Sequence, residues 1–448
     1  MIKYLYYNRI LPIIKNNIVK NILWLSFDRL FKMGIGLIVG IWMARYLGPT
    51  ELGKLNYLMA YIAIIASIST LGMDNFLVKE LSQHPEKKHE MLGTGLFMRL
   101  GVVITLLIVP LCIFSFLKLP SEYFKIYLLL SLTVLFSPLD LIDVYYQSIL
   151  KSRYTVLSKN IAYFIGALLK IYLILFKKSL IYFALVLGLE GLFAMIFLLY
   201  KYQKEKNIFI WKYKNYQALY LLKKCWPLML ASIVVTLYMK VDQIMLGAMK
   251  GVREVGEFSA AVKISEMFFF IPIAISTSFL PELARLYKEV SMTEYLRKIQ
   301  FFFDVIFITA IIIAVPVSLF ANFFVHTLYG NAYTQTGTIL IIHIWSLIPV
   351  FMGLASSQFL IVENLEKIAF YRTALGLIVN IALNCIFIPR FGGIGAAYAT
   401  LISYFVATFF LIMLFKRTRI LFRYQFRSFL APVNFLIQIR KRKKLNDN

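Results

Sequence analysis

Residues 21–70 read NILWLSFDRLFKMGIGLIVGIWMARYLGPTELGKLNYLMAYIAIIASIST. Apolar residues run almost unbroken on both sides of Gly48-Pro49-Thr50-Glu51-Leu52-Gly53. They do not alternate with polar residues, as the strands of a membrane barrel would. A continuous apolar run of about 20 residues is the length of one helical bilayer crossing. In lipid a helix satisfies its own backbone hydrogen bonds, which an isolated extended segment cannot. The stretch therefore predicts two membrane helices, 21–44 and 55–77, joined by a short glycine-bounded turn.

The same pattern continues along the chain. Further spans are expected at 93–117, 126–147, 156–176, 179–200, 225–247, 255–280, 301–320, 336–360, 367–388 and 393–415, twelve in all. The composition agrees: of 448 residues, 60% are hydrophobic and only 16% charged, and the mean hydropathy is +0.75. Soluble domains are nearer 45–50% apolar and about 25% charged. An ordinary cytosolic enzyme, a disordered chain and a disulfide-stapled secreted domain are thereby excluded.

The chain carries 48 Lys and Arg against 22 Asp and Glu, a net charge of +26. Topology accounts for most of this. With the N-terminus inside, 31 of the 48 basic residues fall on the inner side and 9 on the outer. That asymmetry follows the positive-inside rule and requires no nucleic-acid partner. It puts both termini in the cytoplasm. The N-terminal stretch carries Lys3, Arg9, Lys15 and Lys20 before a full-length span, so it reads as an uncleaved first helix. The longest outer loop, Ala321–Gln335, is too short for an extramembranous catalytic domain.

The turn that opens the chain recurs. Gly48-x-x-Glu51-x-Gly53 follows the first span, and Gly251-x-x-Glu254-x-Gly256 follows the seventh, 203 residues later. Six helices intervene, which is the arrangement of a parallel repeat. The expected fold is an all-α polytopic membrane protein of about 12 helices in two six-helix bundles around a central cavity. The expected units are 1–200, a cytoplasmic linker 201–217, a second bundle 218–415 and a basic tail 416–448.

Ionisable residues inside spans are the informative remainder. Each costs about 2.5–3.5 kcal/mol near a helix centre, so it tends to face a cavity or a partner. Arg29, Lys32, Lys240 and Lys263 are the candidate anion-binding residues. Asp28, Asp140, Asp242 and Glu266 are candidates for coupling or charge pairing. Asp28 and Lys32 stand at i,i+4, and Lys263 and Glu266 at i,i+3, so each pair shares a helix face. Arg99, Lys159 and Arg372 lie near span ends and are expected to snorkel to the surface, as is Lys170. No Walker A, no HExxH and no CxxC spacing occurs, so neither a cofactor nor a metal is expected. Cys112, Cys225 and Cys385 read as buried hydrophobes.

Four stretches together resemble a known family. They are ARYLGPTELGKLNYLMAY (44–61), VDQIMLGAMKGVREVGEFSAAVKISE (241–266), LYGNAY (328–333) and NIALNCIFIPRFGGIGAAYATLISY (380–404). They occur in the order and spacing of the Wzx-type O-antigen and polysaccharide flippases, within the MATE-like multidrug/oligosaccharidyl-lipid/polysaccharide (MOP) superfamily. The resemblance implies a bacterial inner-membrane protein that moves an undecaprenyl-pyrophosphate-linked oligosaccharide from the cytoplasmic to the periplasmic leaflet. It further implies work alongside membrane lipids, a polysaccharide polymerase and a chain-length regulator. In related lipid II flippases, cations of the N-terminal half bind pyrophosphate, and the Asp28, Arg29 and Lys32 group is similar in character. A cation-coupled multidrug exporter of the same fold, or a membrane-embedded polymerase or ligase, are the alternatives. The first would want an acidic cavity and the second a catalytic outer loop.

Overall fold

The computed structural model describes residues 17–116, 120–205, 210–289 and 292–432. Lys3, Arg9, Lys15, Lys118, Lys206 and the tail cations from Arg440 onward, all part of the charge asymmetry, lie outside the described residues. Among the described residues all regular structure is helical. Among the described residues, ten segments are long and apolar enough to cross a membrane. Two of them are too long for a single crossing: Trp24–Gln83 has 60 residues and Glu366–Met413 has 48. At about 1.5 Å per residue, each exceeds twice the ~30 Å hydrocarbon layer. Each breaks at a glycine in the left-handed region, Gly48 (φ 71°) and Gly392 (φ 57°), so each holds two spans. Counted so, the described residues hold twelve spans, in line with the expected number. The chain is an all-α, multi-pass membrane protein.

The chain divides into two compact units, one of Met1–Leu47 with Lys54–Thr236, the other of Gly48–Gly53 with Leu237–Asn448. The first unit contains most of α1 (Asn17–Ser69), then α2 (Met73–Gln83), α3 (Lys88–Phe116), α4 (Ser121–Leu135), α5 (Leu141–Ser148), α6 (Arg153–Leu175) and α7 (Leu180–Glu205). It ends within α8 (Asn215–Lys250). Apolar clusters around Leu58, Ile62 and Leu130, and around Leu77, Tyr146 and Tyr202, form its interior. The fourth span, expected as one helix, is interrupted by a 3-10 turn at Ser137–Asp140. Pro138 lies in that turn and cannot donate the backbone hydrogen bond of a continuing helix. The break turns Asp140 and Asp143 toward α6.

The second unit holds the end of α8, then α9 (Val252–Glu266), α10 (Phe270–Glu289), α11 (Met292–Leu319), α12 (Ala321–Tyr329), α13 (Thr336–His343), α14 (Leu347–Val362), α15 (Glu366–Phe405) and α16 (Arg419–Ser428). The loop Ala321–Gln335 contains α12 and is fastened by Glu257. Its carboxylate accepts the N–H groups of Thr334 (3.0 Å), Gln335 (3.2 Å) and Thr336 (2.9 Å), capping α13. A carboxylate there also suits the positive end of the helix dipole. Glu254, the repeat's acid, accepts the Gly393 N–H at 2.7 Å and so braces the break in α15.

The repeat is visible in the backbone. Gly48 (φ 71°, ψ 172°) and Gly251 (φ 92°, ψ 171°) have nearly the same conformation. The motifs also pack reciprocally. A Cβ on Gly53 would overlap the carbonyl of Val252, and a Cβ on Gly256 would overlap the carbonyl of Pro49.

Large apolar side chains are widely exposed, among them Ile38, Ile312, Leu319 and Ile378. In water such a surface would aggregate. In lipid it is the expected exterior.

Candidate functional site

A cavity of about 230 Å³ opens in the first unit, lined by Lys32, Thr133, Ser137, Asp140, Lys159, Tyr163 and Glu190 with apolar neighbours. All of these residues lie in membrane-spanning segments. Four helices and one turn bring them together. α1 supplies Lys32, α4 supplies Thr133, the 3-10 turn Asp140, α6 Lys159 and Tyr163, and α7 Glu190.

Every charge on this wall is paired. Lys159 Nζ lies 2.9 Å from Asp140 Oδ1 and 2.8 Å from Asp143 Oδ2. Gln147 Nε2 donates to the other oxygen of Asp143 at 3.1 Å. Lys170 Nζ lies 2.5 Å from Glu190 Oε1, and Lys32 Nζ lies 2.7 Å from Asp28 Oδ1. Glycines create the room. Gly166 faces the Glu190 side chain and Gly36 the Tyr163 hydroxyl, and a Cβ at either would overlap those groups. Lining charges number two cations and two anions, Lys32 and Lys159 against Asp140 and Glu190. The wall is therefore neutral when fully ionised. Neutralising its carboxylates would turn it cationic.

A second buried polar group lies in the second unit. Asp242, 4% exposed, accepts from Asn384 Nδ2 at 2.5 Å and from Thr400 Oγ1 at 2.7 Å. Asn384 Nδ2 also donates to Asn380 Oδ1 at 3.1 Å. Asn384 Oδ1 is buried without a hydrogen-bond partner. One carboxylate among neutral amide and hydroxyl oxygens is a donor set for a proton or a singly charged hard cation. Divalent sites use more carboxylates, and among the described residues no group of three His, Cys, Asp or Glu could hold a metal.

The candidate residues distribute between these places. Asp28 and Lys32 pair beside the first-unit cavity, and Asp140 lines it. Arg29, one position along, has an exposed side chain. Asp242 anchors the second-unit group. Lys240 and Lys263 both act electrostatically on Glu266, so these three candidates belong together in the second unit.

The snorkelling expected of four cations is corrected. Arg99 is buried and bonded to Asp74 at 2.7 Å. Arg372 is buried, donating to the Gly353 carbonyl at 3.3 Å and to Ser357 Oγ at 3.1 Å. Lys159 and Lys170 hold their carboxylates at the cavity. In each case a nearby acceptor offers a shorter route to solvating the charge than reaching the interface. Lys159, Glu190, Asn380, Asn384 and Thr400 were not among the candidates. Asn380 and Asn384 at i,i+4 in an apolar span were the available signal, since buried amides there need partners.

Sequence relatives agree with this architecture. Residues 18–287, more than half of the chain, match the family model described as polysaccharide biosynthesis protein. The chain belongs to the polysaccharide biosynthesis protein family. Residues 264–439 also match the model of the lipid II flippase MurJ. A capsular polysaccharide biosynthesis protein of Staphylococcus aureus, CapF, is 23% identical over 421 residues, covering 89% of this chain and 99% of that one. An uncharacterized membrane protein of Methanocaldococcus jannaschii is 25% identical over 431 residues, covering 90% of this chain and 99% of that one. Among solved structures, the lipid II flippase MurJ in an inward closed conformation superposes with a TM-score of 0.71 at 17% identity, covering 93% of each chain. An inward-facing multidrug resistance MATE family transporter of the MOP superfamily gives 0.70 at 16% identity, covering 89% of this chain and 98% of that one. At such identities the likeness is one of fold alone.

Proposed function

We propose that the protein is a flippase for a lipid-linked oligosaccharide, the repeat unit of a surface polysaccharide carried on undecaprenyl pyrophosphate. The observation that carries this reading is the ion-paired cavity at membrane depth in the first unit. A sugar-pyrophosphate head cannot enter hydrocarbon, because its hydrogen bonds and charges would be stripped. It needs a polar path, while the polyprenyl tail stays in lipid. At about 230 Å³ the cavity is below the roughly 300–1,000 Å³ of a drug-sized pocket. It suits a head-group fragment rather than the whole glycan.

Lys32 and Lys159 are the cations we assign to the pyrophosphate in the first unit, with Arg29 at its exposed approach. Lys240 and Lys263 serve the same substrate in the second unit. A pyrophosphate must compete with Asp28 for Lys32, and with Asp140 and Asp143 for Lys159. Protonation of those carboxylates, or their rotation away, makes the wall cationic and admits the anion. Re-ionisation expels it. Asp28 and Asp140 are thus coupling residues in the first unit, and Asp242 and Glu266 in the second. Transport then runs by alternating access, with the cavity open first to the cytoplasm and then to the periplasm, in the inner membrane. This work is transport, not catalysis.

The family membership and the capsular relative support the substrate class. The test is a gene deletion in the source organism. Single lipid-linked repeat units should accumulate on the cytoplasmic face and surface polysaccharide should disappear. Undiminished polysaccharide, or export of cationic drugs instead, would overturn the reading.

A further inference from the structure

Helix α16 has three stripes, of which the fold uses the first and part of the second. At about 100° per residue, Leu421, Gln425 and Ser428 share one side, and all three are buried. Gln425 Nε2 donates to Ser356 Oγ at 2.6 Å, and Ser428 Oγ donates to Asp304 Oδ1 at 2.6 Å. Phe422, Phe426 and Phe429 form the second stripe. Phe422 and Phe426 stack at 6.0 Å, Phe429 reaches Phe307 and Phe409 of the bundle, and Phe426 is 62% exposed. The third stripe is Arg419, Arg423 and Arg427, spaced four residues apart and all exposed. Lys416 and Arg417 precede it.

No carboxylate side chain occurs between Glu366 and Asp447. Arg419 Nε donates to the Met413 carbonyl, while Arg423 and Arg427 have no ion-pair partner among the described residues. Aromatics beside arginines on an outward face are the anatomy of a helix lying in the membrane interface. The aromatics enter the acyl boundary and the guanidinium groups meet phosphates.

We propose that α16 is an interfacial anchor whose arginine stripe binds the phosphate groups of anionic glycerophospholipids. The buried stripe fixes the helix to α11 and α14, so the lipid is held against the second unit rather than by a free tail. Charge complementarity selects the occupant, because the stripe lacks any counter-charge of its own. Arginine also matches phosphate oxygens with two parallel donors.

The test uses the full chain with Arg440, Lys441, Arg442, Lys443 and Lys444 replaced by Gln, so that the distal tail does not contribute. Retention of phosphatidylglycerol and of phosphatidylcholine is measured by native mass spectrometry. Phosphatidylglycerol should be preferred. Arg423→Gln with Arg427→Gln should weaken it roughly 30-fold, since each basic residue near an anionic surface contributes about 1 kcal/mol. Thermal stability without lipid should not change, because both side chains are exposed. Equal retention of the two lipids, or phosphatidylglycerol binding unaffected by the double substitution, would overturn the proposal. So would inorganic phosphate displacing the lipid at equal concentration, which would mark a free-anion site.

Discussion

Lys159 and Asp140 form an ion pair on the cavity wall, Nζ to Oδ1 at 2.9 Å, across 19 residues of sequence. The same ammonium holds Asp143 at 2.8 Å. One cation between two carboxylates is the arrangement most sensitive to losing its centre. Lys159→Gln leaves Asp140 and Asp143 facing each other. It should lower stability by less than the about 3–5 kcal/mol of a fully buried broken pair, because the Lys159 side chain is 26% exposed. Transport should fall by far more than stability. Parallel measurements of melting temperature in detergent and of surface polysaccharide in cells check this.

Arg99 and Asp74 make a one-sided pair. The guanidinium side chain is 2% exposed and the carboxylate 51%. Removing the acid strands a buried charge, while removing the base leaves an acid that water already solvates. Asp74→Asn should therefore destabilise more than Arg99→Met, the first by about 3 kcal/mol or more and the second by less. Melting temperatures of the two variants give the order directly.

The reciprocal glycines of the repeat admit a clean comparison. Gly53→Ala and Gly256→Ala each push a methyl into a backbone carbonyl, of Val252 and Pro49 respectively. Backbone cannot yield as a side chain can. Each substitution should cost at least the 1–3 kcal/mol typical of overpacking and reduce the yield of folded protein. Gly34→Ala has nothing within 4 Å of the new methyl and should be tolerated. Size-exclusion profiles of the three variants separate the outcomes.

If the oxygens around Asp242 hold a singly charged cation, sodium should raise the melting temperature relative to choline at equal ionic strength. At ten times Kd the stabilisation would be about 1.4 kcal/mol. Asp242→Asn and Thr400→Val should abolish it. A melting temperature indifferent to sodium, with transport still lost in Asp242→Asn, would leave the proton as the coupling ion.

The spans were legible because each is an apolar run of bilayer length, and the breaks at Gly48 and Gly392 separate helices that would otherwise run on. The repeat was legible because both copies need a positive-φ glycine and a small residue facing a carbonyl. The intramembrane charges were legible as residues but not as pairs. Asp28 and Lys32 share one helix, so their spacing foretold the contact. Asp242 and Asn384 are 142 residues apart, and only the packing of α8 on α15 brings them together. Position along a span misled for Arg99, Lys159 and Arg372, because a snorkelling argument weighs distance to the interface and cannot see an acceptor on a neighbouring helix. Asp140 was legible as an acid inside a span. The turn that aims it at Lys159 was not.

The most direct test of the central claim is translocation in proteoliposomes. A fluorescent undecaprenyl-pyrophosphate oligosaccharide is placed in one leaflet, and its appearance in the other is read by accessibility to an added glycosidase. Wild-type protein should move it, and Lys32→Gln or Lys159→Gln should lower the rate at least tenfold with the protein still correctly inserted. Wild-type vesicles that move no more substrate than protein-free ones, or lysine variants that transport at the wild-type rate, would contradict the account.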